Sequence, residues 1–270
     1  MIFGYANYRT FLVHIRANFP LTTFRDWKGG NGILLRHDVD FDLAAAHRLA
    51  LLEHEHHVPA TFFIRTASPT YNPMSLVNRS RLVEMSAMGF EIGLHFDPSI
   101  YGEVSEDALQ RRVHQESSIL ESILERSVDS ISLHNPSVHN RYVLFSGYRN
   151  AYDPGLFTPE MYISDSRMVF LHNIYQFVER ARSSHVQVLL HPLHFTPQAS
   201  TYPEIVCDLV TEMVSQVDSE FSVNSTYSEQ MRGRVLLSRL LERTTADECP
   251  VEDRHPIESP QSGDHHGGGI

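Results

Sequence analysis

Short apolar, β-branched runs alternate along this chain with helical patterns, and only a few residues separate one from the next. Residues 32–39 (GILLRHDV), 60–64 (ATFFI), 90–96 (FEIGLHF), 130–133 (SISL), 161–164 (MYIS) and 186–190 (VQVLL) read as strands. Between them, 43–56 carries apolar residues at Leu43, Ala46, Leu49, Ala50 and Leu52, a helical stripe. Residues 76–88 read as a helix stopped by Gly89, 105–125 as a long amphipathic helix, and 173–182 and 205–217 as helices. Strand and helix in alternation, joined by short connections, imply parallel pairing through right-handed crossovers. Six or seven such units in about 220 residues suit a (β/α) barrel better than an open sheet, although periodicity alone does not separate the two.

Around that body the chain divides into 1–31, an N-terminal helix and its connection; 32–243, the barrel; and 244–270, a tail. A polar helix over 228–243 closes the fold. The tail is rich in Pro, Gly and acid and lacks apolar periodicity, so disorder is expected there. It also carries much of the net charge of −11, with six acids against Arg254. A negative surface argues against nucleic acid or an anionic membrane as the main partner. With 41% hydrophobic and 20% charged residues, the composition is globular. No signal peptide and no run of 18 apolar residues is legible, so a cytoplasmic protein without a membrane span is expected. Two cysteines, Cys207 and Cys249, cannot make a disulfide framework and read as free thiols.

The chemistry sits where the strands end. After the first, Asp38 and Asp40 point the same way on an extended backbone, about 7 Å apart. Two carboxylates so placed repel unless a cation or a shared proton compensates, which suits a metal site beside a general base. Asp42, just before Leu43, reads instead as a helix cap. His95 ends the 90–96 strand, His134 follows 130–133, Asp165 follows 161–164 and His191 follows 186–190. Five strand ends thus deliver Asp, His, His, Asp and His, and in parallel α/β folds those ends converge on the active site. Arg36 or Arg167 reads either as holding a neighbouring carboxylate or as a surface ion pair. Tyr152, in a loop, reads either as a substrate contact or as packing.

In order and spacing, HDVD (37–40), ATFF (60–63), EIGLH (91–95), HNP (134–136), SDSR (164–167) and LLHP (189–192) resemble the polysaccharide deacetylase superfamily of carbohydrate esterases. The similarity runs over about residues 32–195. It implies a distorted (β/α)₇ barrel with one divalent metal, usually zinc. It also implies Asp38 as general base, Asp40 and His95 as metal ligands, His191 as general acid and Asp165 as the carboxylate that tunes its neighbour. Two positions depart from the family pattern. The second metal histidine, four residues after the first, is Ser99, and the usual arginine of the x-P motif is His134. His134 is the first choice for the third ligand, with His194 and Asp97 behind it; the alternative is that His134 orients Asp38. Arg167, Tyr152 and His194 are the candidate substrate contacts. The expected function is metal-dependent removal of an N-acyl group, acetyl above all, from a sugar or glycan precursor. Two other readings stay open: a catalytically inactive carbohydrate-binding pseudoenzyme of the same fold, and a non-catalytic metal-binding protein.

Overall fold

The computed structural model describes residues 3–246, so most of the tail, with Cys249, lies outside the described residues. In chain order the elements are α1 (Tyr5–Asn18), β1 (Leu21–Thr22), β2 (Gly32–Val39), α2 (Leu43–Glu55), β3 (Thr61–Ile64), α3 (Leu76–Ala87), β4 (Glu91–Phe96) and α4 (Glu106–Leu124). They continue with β5 (Ser130–Leu133), β6 (Arg149–Asn150), β7 (Tyr162–Ser164), α5 (Ile174–Val178), β8 (His185–Leu190), α6 (Tyr202–Phe221), α7 (Ser225–Met231) and α8 (Leu236–Ala246).

Every strand pair is parallel, and the strands run β6-β5-β4-β3-β2-β8-β7, with β1 beside the start of β2. Seven strands therefore curl into the expected distorted (β/α)₇ barrel. Its two ends, β6 and β7, make no ladder with each other among the described residues. β2 is an interior strand, between β3 and β8, and is buried at all eight positions. Its alternation sorts the residues 36–38. Arg36 and Asp38 turn inward toward Ser132 and each other. His37 turns outward, stacks on Phe62 and lies 2.7 Å from Glu53 of α2. The Tyr8 hydroxyl of α1 donates to the same Glu53, so two helices are pinned to the back of β2.

At the opposite end from the candidate residues, Glu91 ties three strands. Its carboxylate accepts from Thr61 Oγ1 at 2.9 Å, Ser130 Oγ at 2.6 Å and the Arg25 backbone N–H at 2.8 Å. Helix caps follow the sequence: Asp42 accepts from the Ala44 N–H at 2.7 Å and Ser105 from that of Ala108.

The described residues divide into two compact units, parted between Leu209 and Val210. Within the second, Asp218 accepts from the Tyr227 hydroxyl at 2.5 Å and the Leu236 N–H at 3.0 Å, joining its helices. The single helix expected over 228–243 is two, because Arg232 and Gly233 take left-handed backbone angles of φ 52° and 77° and break it. No helix among the described residues is long and apolar enough to cross a membrane.

Candidate metal and acid–base site

Four loops leave the carboxyl ends of β2, β5, β7 and β8 and line a cavity of about 1130 Å³. The register explains why the named side chains meet. Phe96 pairs with Leu133, so the backbone N–H of His134 donates to the Phe96 carbonyl and the ring lands beside His95. Ser164 pairs with Leu189, so Asp165 falls next to His191.

Asp40, His95 and His134 form the first cluster. Asp40 Oδ1 lies 3.0 Å from His95 Nε2 and 2.8 Å from His134 Nδ1, and the two nitrogens are 3.2 Å apart. Burial would raise the Asp40 pKa, but the hydrogen bonds from His134 and His95 hold it well below the usual carboxylate range. Three ligand atoms aimed at one another this closely fit a small cation. Donors bound at about 2.0–2.2 Å in a tetrahedral arrangement stand about 3.3–3.6 Å apart, so these atoms need to spread by only a few tenths of an ångström to take one. A carboxylate with two imidazoles is also a donor set that zinc takes. The side-chain amide nitrogen of Asn135 donates to His134 Nε2 at 3.0 Å, so in this arrangement Nδ1 carries the proton and donates to Asp40, and it would give that proton up on binding a cation.

Asp38 stands beside this cluster with its two oxygens in different states. Oδ2 accepts from Arg36 at 2.9 Å and from Ser132 Oγ at 3.1 Å. Oδ1 is buried and has no hydrogen-bond partner. Arg36, with no exposed surface, also donates to Tyr152 Oη at 2.9 Å and Gln187 Oε1 at 3.1 Å, and its guanidinium lies over the Tyr152 ring. The surface-ion-pair reading of Arg36 therefore gives way to a buried tether. Tyr152 is turned in toward Arg36, whose guanidinium donates to its hydroxyl, and it does not line the cavity.

Asp165, fully buried, joins the second cluster. It takes the Nδ1 sides of His191 at 2.6 Å and His194 at 2.9 Å, and the His191 backbone N–H as well. Burial alone would raise its pKa, yet the two imidazoles bring it down to about 2. For His191, burial works to lower the pKa, and Asp165, Asp40 and Asp38 overturn that and raise it to about 9. With Nδ1 committed to Asp165, the other nitrogen, Nε2, lies 3.8 Å from Asp40 Oδ2. A cationic imidazole thus stands next to the first cluster.

The reserve ligands have other partners. The Asp97 carboxylate accepts from Arg65 at 2.6 Å and from Ser99 Oγ and N–H, and His194 is bound to Asp165. Arg167 and His194 line the cavity. The sequence offered no sign of Ser132 and Gln187 as partners of Arg36; inward-facing polar residues in β5 and β8 were the only available signal.

No protein-family model and no curated protein matches the sequence. Solved structures do. A family 4 carbohydrate esterase from Bacillus anthracis is 16% identical over 75% of this chain and 85% of its own, with a TM-score of 0.41. A chitin deacetylase from the fungal pathogen Colletotrichum lindemuthianum is 16% identical over 67% and 81%, with a TM-score of 0.40. A family 4 pseudoenzyme from Bacillus anthracis is 14% identical over 68% of this chain, which spans 60% of that protein, with a TM-score of 0.38. These neighbours lie in the carbohydrate esterase group that the motifs resemble, at a distance too great to carry residue roles.

Proposed function

We propose that this chain is a metal-dependent hydrolase that removes an N-acyl group, acetyl above all, from a sugar or glycan precursor. One observation carries the reading. Three ligand atoms of Asp40, His95 and His134 face one point, flanked by an unpartnered carboxylate oxygen on Asp38 and a cationic His191. A divalent ion, zinc by its donor set, would be held by Asp40, His95 and His134, and when bound it supplies Lewis acidity to an acyl carbonyl and to water.

The chain's own residues do the rest. Asp38 Oδ1 takes a proton from the attacking water, while Arg36 and Ser132 fix Oδ2 and keep the free oxygen in place. His191 gives the Nε2 proton to the departing sugar amine. Asp165 holds the ring by Nδ1 and keeps it charged until that step. Ser99, whose hydroxyl is bound to Asp97, takes no part, and His134 stands in the corner that a second histidine would fill.

Elemental analysis of purified chain, with acetate release from a panel of N-acetylated sugars, tests this. About one divalent ion per chain and metal-dependent release are expected. Asp40→Ala and His95→Ala should lose both. If those variants hold metal as wild type does, or if the metal-loaded chain releases no acetate from any sugar, the reading is wrong; a metal-loaded chain that binds sugar without release would be a pseudoenzyme.

A further inference from the structure

Among the described residues lining the cavity, Arg167 is the only lysine or arginine. The acids that share this cavity already have partners: Asp38 has Arg36, Asp40 has His95 and His134, and Asp42 has Arg48 and the Ala44 N–H. Arg167 is exposed and has neither an ion pair nor a hydrogen bond among the described residues. Its charge compensates nothing in the protein. Its exposed side chain lines the cavity that Asp38, Asp40 and His191 also line, and a guanidinium carries five N–H donors.

The backbone shows that this placement is built. Arg167 sits at φ 61°, ψ 23°, and Met168 follows at φ 55°. A left-handed conformation at a non-glycine residue is strained and persists only where the surroundings enforce it. Elsewhere among the described residues, left-handed residues other than glycine close helices (His57, Glu125, Arg232) or are asparagines (Asn135, Asn140), which tolerate it. Arg167 and Met168 do neither. The turn is set by Ser164 and Ser166, whose hydroxyls lie 2.7 Å apart, with the Ser166 N–H donating to Ser164 Oγ at 3.1 Å. One residue of this turn, Asp165, goes inward to clamp His191; two residues later Arg167 is delivered to the cavity wall.

We propose that Arg167 is an anion-binding residue of the substrate site, and that the acyl sugar carries an oxyanion, a phosphate ester or a carboxylate, which the guanidinium takes as a fork. A planar pair of anionic oxygens is the partner that a free guanidinium matches best. The proposal rests on the acyl-sugar reading for the identity of the ligand, but its test does not use hydrolysis.

Equilibrium binding to the metal-loaded full chain separates the arms, with N-acetylglucosamine, N-acetylglucosamine 1-phosphate and the uronic acid of N-acetylglucosamine as probes. At least one of the two anionic sugars should bind about tenfold or more tighter than the neutral one. The anion with the larger gain identifies the source of the charge. Arg167→Ala should erase the difference, and Arg167→Lys, which keeps the charge but not the fork, should restore part of it. Equal binding of all three sugars, no binding of either anionic sugar, or an Arg167→Ala chain that keeps the preference overturns the proposal. If acetate release fails on every sugar while the Arg167-dependent preference persists, the hydrolase reading falls and the anion site stands.

Discussion

Removing the Arg36 guanidinium would leave the buried Asp38 carboxylate without its counter-charge, with only Ser132 left to donate to it. Breaking a buried ion pair from one side costs about 3–5 kcal/mol, because the remaining charge is uncompensated. Arg36→Met is therefore expected to lower unfolding free energy by about that amount in urea titrations. An unchanged midpoint would mean that the tether contributes nothing. Asp38→Asn tests the other half of the pair: it keeps the shape and should retain fold and metal content, while acetate release falls by about 10²–10⁴ through loss of the proton acceptor. A variant with wild-type turnover would remove Asp38 from the role of base. The sequence shows both residues but not their bond. From sequence, Arg36 reads equally as a partner of a neighbouring carboxylate and as a surface ion pair, and what decides between them is the burial of β2 on both faces inside the sheet.

At the scale of elements, the long apolar runs were readable and the two-residue strands were not. β2, β3, β4, β5 and β8 coincide with runs that alternate with helical stripes, because burial on both faces demands continuous apolar sequence. β1 and β6 have no periodicity to detect, and Arg149–Asn150 earns its strand status only by pairing with β5. The close fit of β3 on β4 is equally hidden. Gly93 is a strand glycine whose absent Cβ leaves room for neighbours: an added methyl would lie 2.6 Å from the Phe63 ring and 2.7 Å from Ser130 Oγ. Phe63 is fully buried and Ser130 is engaged with Glu91, so neither can simply swing away. Gly93→Ala should then destabilise by about 1–3 kcal/mol, the usual cost of overpacking. Thermal melting that matches wild type within a degree would show that the sheet yields there without strain.

For the whole molecule, the Asp165–His191 pair makes stability depend on pH in a definite direction on each side. The His191 pKa rises from 6.5 in the unfolded chain to about 9, so the stability it contributes is fully present below 6.5 and is lost as pH climbs through 9. The Asp165 pKa falls from 3.8 to about 2, so its contribution is present above 3.8 and is lost as pH drops through 2. Between those windows the pair is fully charged in the folded state, and the slope of stability with pH from these two groups is near zero. Wild type and Asp165→Asn, unfolded by urea at a series of pH values, isolate the effect, since both chains carry the same remaining acids. The wild-type advantage should be flat from about pH 4 to 6.5 and shrink on either side, by up to about 1.4 kcal/mol per pH unit on the alkaline limb. The acid limb alone would leave Asp165 as an isolated carboxylate held by backbone and His194. Loss on both limbs is what the clamp on His191 requires, and an advantage that does not change from pH 6 to 9 would mean that His191 enters the fold neutral, without the proton that the proposed general acid would donate.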